Sequence, residues 1–109
     1  MDDLIKKIIK FRDDRNWKQF HNAKDLAISL SLEANELLEN FQWKSSHEAL
    51  KNKAENIEDE LADILIYSIL FADEIKVDIN EIISRKLQKN TIKYPINKSY
   101  GSNKKYNEL

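Results

Sequence analysis

The sequence predicts an all-α chain, and three observations carry that expectation. Only one glycine (Gly101) and one proline (Pro95) occur in 109 residues, both near the C-terminus. Nothing before them breaks a helix or supplies the turns that a β fold needs. Apolar residues recur three and four positions apart through most of the chain, the period of a helix with one buried face. Side chains suited to capping helix starts precede acidic residues at three places, Asn22 with Asp25, Ser45 with Glu48 and Asp78 with Glu81. Together these signals divide the chain into four helices.

The first helix runs to about Arg15, with Leu4, Ile5, Ile8, Ile9 and Phe11 on one face and Lys6, Lys7, Lys10 and Arg12 on the other. Asn16 to His21 loses the period but holds Trp17, Phe20 and His21, which marks a contact surface. The second helix opens at Asn22 and presents Leu26, Leu30, Ala34, Leu37, Leu38 and Phe41. At about 100° per residue, Glu33 lies at the border of that face and Glu36 further round. After the Gln42-Trp43-Lys44 exit, the Ser45 capping box starts a third helix, loose through Asn52 and continuing to about Ile75. From Leu61 to Ala72 it is apolar nearly all round, which in so small a chain predicts burial against a second subunit as well as its own core. The fourth carries Ile79, Ile82, Ile83 and Leu87 and ends before Tyr94-Pro95, because the residue preceding proline avoids the α region. The expected organisation is one domain over residues 1–95 and a polar tail over residues 96–109.

Composition narrows the function classes. Eighteen basic residues against nineteen acidic ones lack the basic excess of duplex-binding proteins, so no nucleic-acid polymer is expected as a partner. Cysteine is absent, which excludes disulfides, thiolate metal sites and cysteine catalysis and fits a reducing compartment. Met1-Asp2-Asp3 does not open a signal peptide. The longest apolar run carries Asp63 and Ser68 and is too short to span a bilayer. The expected location is cytoplasmic, without membrane association.

Two acidic pairs stand inside the most apolar stretches: Glu33 with Glu36, and Glu60 with Asp63. Residues at i and i+3 share a helix face, so two facing helices would bring four carboxylates together. Carboxylates out of water repel one another unless a cation sits between them. An all-oxygen set suits a hard ion, Mg²⁺ with Mn²⁺ as the alternative, which leans on substrate phosphates to complete its shell. The competing account is two solvated acidic helix faces, the usual meaning of charge on helices. Asp63 within the apolar run, and a second pair 24 residues earlier, favour the metal. Di-iron bundles use Glu-x-x-His, and neither His21 nor His47 stands three residues after a glutamate. Tyr67, one turn beyond Asp63, either lines the same cavity or sits at the rim of the core. Trp17 and Trp43, each just outside a helix end, either stack on a base or cap the core. His21 either donates to a substrate or caps the second helix.

Three blocks resemble the MazG-like all-α nucleotide pyrophosphohydrolases. They are Arg-Asp-Asp-Arg-Asn-Trp-Lys-Gln-Phe-His from Arg12 to His21, Glu-Ala-Asn-Glu-Leu-Leu-Glu-Asn-Phe-Gln-Trp-Lys from Glu33 to Lys44, and Glu-Leu-Ala-Asp-Ile-Leu-Ile-Tyr from Glu60 to Tyr67. Glu-x-x-Glu followed by Glu-x-x-Asp marks the superfamily; the Trp17 to His21 and Phe41 to Lys44 blocks are most similar to its dCTP pyrophosphatase branch. The resemblance implies a four-helix bundle packed across a homodimer or homotetramer interface. It also implies cleavage of a nucleoside triphosphate, dCTP or a base-modified dCTP, to the monophosphate and pyrophosphate. Glu33, Glu36, Glu60 and Asp63 would hold Mg²⁺, and Glu36 or Glu39 would accept the proton of the attacking water. Trp17, Lys18, Gln19, Phe20, His21, Trp43 and Tyr67 would form the nucleoside pocket, while Lys86, Asn90, Lys93 and Tyr94 would reach the phosphates or sugar. Two positions depart from the pattern. Asn35 stands where relatives commonly have glycine, and Ile8 where some have a polar substrate contact.

Overall fold

A computed structural model describes residues 2–109, so Met1, the first residue of the expected domain, lies outside the described residues. Every regular element among the described residues is helical, as the sequence predicts. The order is α1 (Asp2–Asp14), a 3-10 turn (Trp17–Phe20), α2 (Ala23–Glu39), α3 (Ser46–Asn52), α4 (Ala54–Glu74), α5 (Ile79–Lys93), α6 (Ile96–Ser99) and a last 3-10 turn (Tyr106–Glu108). Two compact units form, Met1–Lys76 and Val77–Leu109. No helix among the described residues is long and apolar enough to cross a membrane.

The three capping patterns act as their spacing implies. Asn22 Oδ1 accepts from the Asp25 N–H at 2.9 Å, and Asp25 in turn accepts from Asn22 Nδ2 at 2.8 Å. Ser45 Oγ accepts from the Glu48 N–H at 3.1 Å, and Asp78 Oδ1 from that of Glu81 at 2.9 Å. Each satisfies a backbone donor that the first turn leaves without an intrahelical partner.

In the first unit α2 packs along α4, while α1 and α3 make smaller contacts with α4. Leu26 is 1 % exposed, and Ala49, Ile69, Leu70 and Ala72 complete the buried apolar set. Full burial of a leucine stabilises by about 1.5–3 kcal/mol, so Leu26 anchors this contact. Ser68 fits within the apolar run because its hydroxyl donates to the Ile64 carbonyl at 2.7 Å.

Three details differ from expectation. Arg12, expected on the charged face of α1, is 3 % exposed, whereas Leu4 and Phe11 are about half exposed. Arg12 follows Ile8 by four residues and Ile9 by three, which puts it in the buried stripe. Its charge is met there: Nε donates to Asp13 at 2.9 Å and Nη1 to Asp73 of α4 at 2.6 Å. In α2, Ala34 and Leu38 face outward, and the inward stripe runs Leu26, Leu30, Glu33, Leu37 and Asn40. Glu33 therefore lies within the stripe, not at its border. The expected third helix is two, broken at Lys53 (φ −124°, ψ 20°). No apolar residue larger than alanine occurs from Lys51 to Asn56, and two asparagines weaken the helix there. Its end is as expected: α4 stops at Glu74 with Ile75 as its cap, and Lys76 turns left-handed with φ 59°.

In the second unit α5 ends at Tyr94, whose N–H donates to the Asn90 carbonyl at 2.8 Å, before Pro95. The tail is not formless. Tyr106 meets Tyr94 edge to face at 6.2 Å, and Lys93 Nζ lies 4.8 Å from the Tyr106 ring centroid.

Removing one partner of a buried ion pair leaves the other charge exposed to the full desolvation cost. Asp13 still meets part of the Arg12 charge, so Asp73→Ala should lower unfolding free energy by about 2 kcal/mol in a urea titration. Arg12→Met combined with Asp73→Leu should recover most of that loss, because neither charge is then buried alone.

Candidate metal centre and adjoining pocket

Glu33 and Glu36 of α2 meet Glu60 of α4 with one carboxylate oxygen each, all within 4.8 Å of one another. Glu33 and Glu60 are half-buried and Glu36 is exposed. Oε2 of Glu33 and Oε2 of Glu60 are buried with no hydrogen-bond partner. Groups of that kind are rare in folded proteins and call for an unseen water or ion. Lost hydration, first of all, pushes the Glu33 carboxyl up from 4.5 to about 7, helped by Glu36, Asp63 and Glu60. Glu60 is raised too, again by lost hydration first and then by Glu36, with a hydrogen bond from Glu33 partly opposing. Three oxygens from three carboxylates, two of them unsatisfied, fit a hard divalent cation.

The register that produces this convergence is fixed one helical turn away. Asn40 follows Glu36 by four residues, and Asn56 precedes Glu60 by four. Asn56 Nδ2 donates to the buried Asn40 Oδ1 at 2.6 Å, and Asn40 Nδ2 donates to the carbonyls of Glu36 and Leu37 at 3.1 and 3.3 Å. An amide pair in this position ties the end of α2 to the start of α4.

Asp63, the fourth expected ligand, is exposed and does not join the three-carboxylate set. Its charge nevertheless raises both Glu33 and Glu60. It also lines a cavity of about 390 Å³, together with Trp17, His21 and Tyr67. Asp63 thus stands between the carboxylates and the cavity. The other walls are Lys7, Ile8, Phe11, Arg12, Ile66 and Leu70. His21 Nδ1 is buried there without a partner.

Other expected site residues are less convergent. Lys18, Gln19 and Phe20 are exposed and do not line the cavity, and Gln19 Nε2 donates to the Asn16 carbonyl at 3.0 Å. Trp43 is 93 % exposed and left-handed at φ 62°, a conformation costly for a bulky side chain. Glu39 shares with Glu36 a separate groove on α2, beside Leu32, Asn35, Leu38, Phe41 and Gln42. Lys86, Asn90, Lys93 and Tyr94 belong to the second unit. Phe11 and Arg12 were not expected as pocket walls. Arg12 was legible only through its spacing from Ile8, and Phe11 through its nearness to the aromatic segment.

Comparison with known proteins gives the arrangement a context. The profile of the MazG-like family matches residues 28–109. The dCTP pyrophosphatase 1 of Mus musculus is 35 % identical over 115 residues, covering 100 % of this chain and 67 % of that protein. The Homo sapiens protein of the same name is 32 % identical over 114 residues, with 100 % and 67 % covered. A crystal structure of a pyrophosphatase from Archaeoglobus fulgidus superposes with a TM-score of 0.81 at 40 % identity, covering 87 % of this chain and 92 % of that one.

Metal affinity should follow the protonation of these carboxyls. Binding of Mn²⁺ by calorimetry should tighten as pH rises through about 7 and level off above it, with proton release shrinking in step. Without cation the sign reverses for stability. Glu33 holds its proton more tightly in the folded chain, so the melting temperature should fall as pH rises from 4.5 to about 7. A cation affinity flat across that window would exclude this assignment.

Proposed function

Because the chain belongs to the MazG-like family, near its dCTP pyrophosphatase branch, we propose that it is a nucleotide pyrophosphohydrolase acting on dCTP or a base-modified dCTP in the cytoplasmic pool. The observation that carries this reading is the set of Glu33, Glu36 and Glu60 oxygens, joined through Asp63 to a cavity with an aromatic wall. A carboxylate centre beside an apolar cavity suits a ligand with a charged end and a flat end. A nucleoside triphosphate has both.

On this reading Glu33, Glu36 and Glu60, with Asp63 beside them, would hold Mg²⁺. A cation held there would supply positive charge against the triphosphate and lower the pKa of a water bound to it. Glu39, one turn along α2 in the groove it shares with Glu36, accepts the water proton. Water adds at one of the two phosphorus atoms flanking the α–β bridge and the bridging P–O bond breaks, its electron pair going to pyrophosphate when Pα is attacked and to the monophosphate when Pβ is; the products are the same two. Trp17 stacks on the base, His21 offers its unpartnered Nδ1 to a polar edge, and Tyr67 closes the cavity. Trp43 covers the base from the other side, which would account for its exposed, left-handed placement. Lys18, Gln19 and Phe20 border the nucleoside. Lys86, Asn90, Lys93 and Tyr94 of the second unit carry donors suited to phosphates or sugar.

The working form is a homodimer or homotetramer. Leu32 and Leu38 on α2 and Leu61 and Leu65 on α4 are about half exposed or more, leaving apolar surface that a second copy would cover.

A panel of dCTP, 5-methyl-dCTP, dUTP and dTTP with Mg²⁺, read by pyrophosphate release, tests the proposal. Cytosine nucleotides should be cleaved fastest; equal rates would make the enzyme a broad pyrophosphohydrolase, and no release from any would reject the activity. Glu60→Ala and Asp63→Ala should each lower kcat by on the order of 10²–10³ while far-UV dichroism stays helical. Glu39→Gln should lower kcat comparably with Mn²⁺ affinity unchanged, whereas Glu36→Gln should weaken both.

A further inference from the structure

Trp17 forms part of the cavity wall, yet nearly half of it is exposed, so burial alone does not hold its ring. A stack at the end of α1 does. The Phe11 and Trp17 rings meet edge to face, with centroids 5.6 Å apart and planes at 79°. The Arg15 guanidinium carbon lies 3.7 Å from the Phe11 centroid and 5.9 Å from that of Trp17. Arg15 Nη1 also donates to the Phe11 carbonyl at 3.0 Å. Between Arg15 and Trp17 the backbone reverses at Asn16, which is left-handed at φ 54° and ψ 35°. Asparagine tolerates that conformation better than most residues, and the reversal folds Trp17 back toward Phe11.

Phe11 and Trp17 line the cavity but Arg15 does not. Its guanidinium is engaged with the two rings and a backbone carbonyl. We propose that Arg15 is a positioning residue for nucleoside binding, clamping Phe11 and Trp17 into one preformed stacking wall. The inference rests on the cavity being the nucleoside site. A ring already oriented before substrate arrives spares the cost of ordering it during binding. An aromatic face with a cation beside it also stacks on a base without choosing among sequences or substituents, so the clamp contributes affinity more than base selection.

The test uses the full chain with Arg15→Met, which keeps the stem but removes the planar cation, and Arg15→Lys, which keeps charge without the fork. Near-ultraviolet dichroism of Trp17 is read in a Trp43→Phe background without nucleotide, with far-ultraviolet dichroism confirming the fold. Kinetics of pyrophosphate release from dCTP with Mg²⁺ are read in chains that retain Trp43. Arg15→Met should flatten the Trp17 signal and raise KM roughly two- to five-fold at unchanged kcat, the worth of an exposed cation–π contact. Arg15→Lys should recover part of both. An unchanged Trp17 signal overturns the clamp. So does a changed signal with unchanged KM, or a fall in kcat alone, which would place Arg15 on the reacting phosphates. If the unsubstituted chain releases no pyrophosphate, the proposed function has failed instead, and the Trp17 signal alone decides whether the clamp exists.

Discussion

The structure is organised around a confrontation of like charges. Packing α2 along α4 brings carboxylate oxygens of Glu33, Glu36 and Glu60 within 4.8 Å of one another, with Asp63 close enough to add to their field. At about 4 Å and an effective dielectric near 20, each ionised pair opposes the fold by roughly 4 kcal/mol. The chain relieves part of this by keeping a proton on Glu33 to about pH 7. A proton is a poor substitute for a divalent cation, because it neutralises one carboxyl and leaves buried oxygens on Glu33 and Glu60 without partners. An arrangement that opposes folding on its own and would be relieved by a specific ligand is better explained by binding than by stability.

Such a centre needs stiff support, and the apolar core is small. Leu26, Ala49, Ile69, Leu70 and Ala72 give cohesion, but apolar contact is non-directional and tolerates sliding. Directional contacts supply the register. The Asn40 to Asn56 bond lies one turn from Glu36 and Glu60, and the Arg12 to Asp73 pair joins α1 to the far end of α4. Both are polar groups set into packed surfaces, where a half-turn slip would leave them unsatisfied and cost far more than the apolar contacts would notice. Arg12 also serves as cavity wall, so the same ion pair that seats α1 helps define the space beside the carboxylates.

Sequence made the helices and their starts legible because the signals are local. A capping side chain three residues before its donor acts whatever the tertiary context, and Asn22, Ser45 and Asp78 all do so. The pairing of Glu33 and Glu36 with Glu60 was legible for a related reason: i,i+3 spacing fixes the face, and apolar surroundings fix its direction. What escaped was non-local. Arg12 was assigned to the solvent face because nothing near it in sequence announces Asp73, 61 residues on. The break at Lys53 depends on short α3 and long α4 finding different seats on the core, and Ala34 and Leu38 point outward because the stripe through Glu33 and Asn40 wins the contact with α4. A hydrophobicity pattern cannot foresee that a carboxylate and an amide outrank a leucine.

That inversion has a consequence for the outer face of α2. With polar Glu33 and Asn40 taken inward, Leu32 and Leu38 are left on the side that also carries Asn35, Glu36 and Glu39. Glu36 therefore touches two environments: its oxygen belongs to the carboxylate set, while its stem lines the groove between those leucines. On the proposed reading, a second copy covering the leucines would also wall the groove, lower the local dielectric around Glu36, and strengthen its interaction with a bound cation. Burying the apolar face and completing the metal site would then be one event. On that reading the apolar surplus of α2 and α4 and the repulsion among the carboxylates would share a remedy, since assembly would complete the site that a cation stabilises.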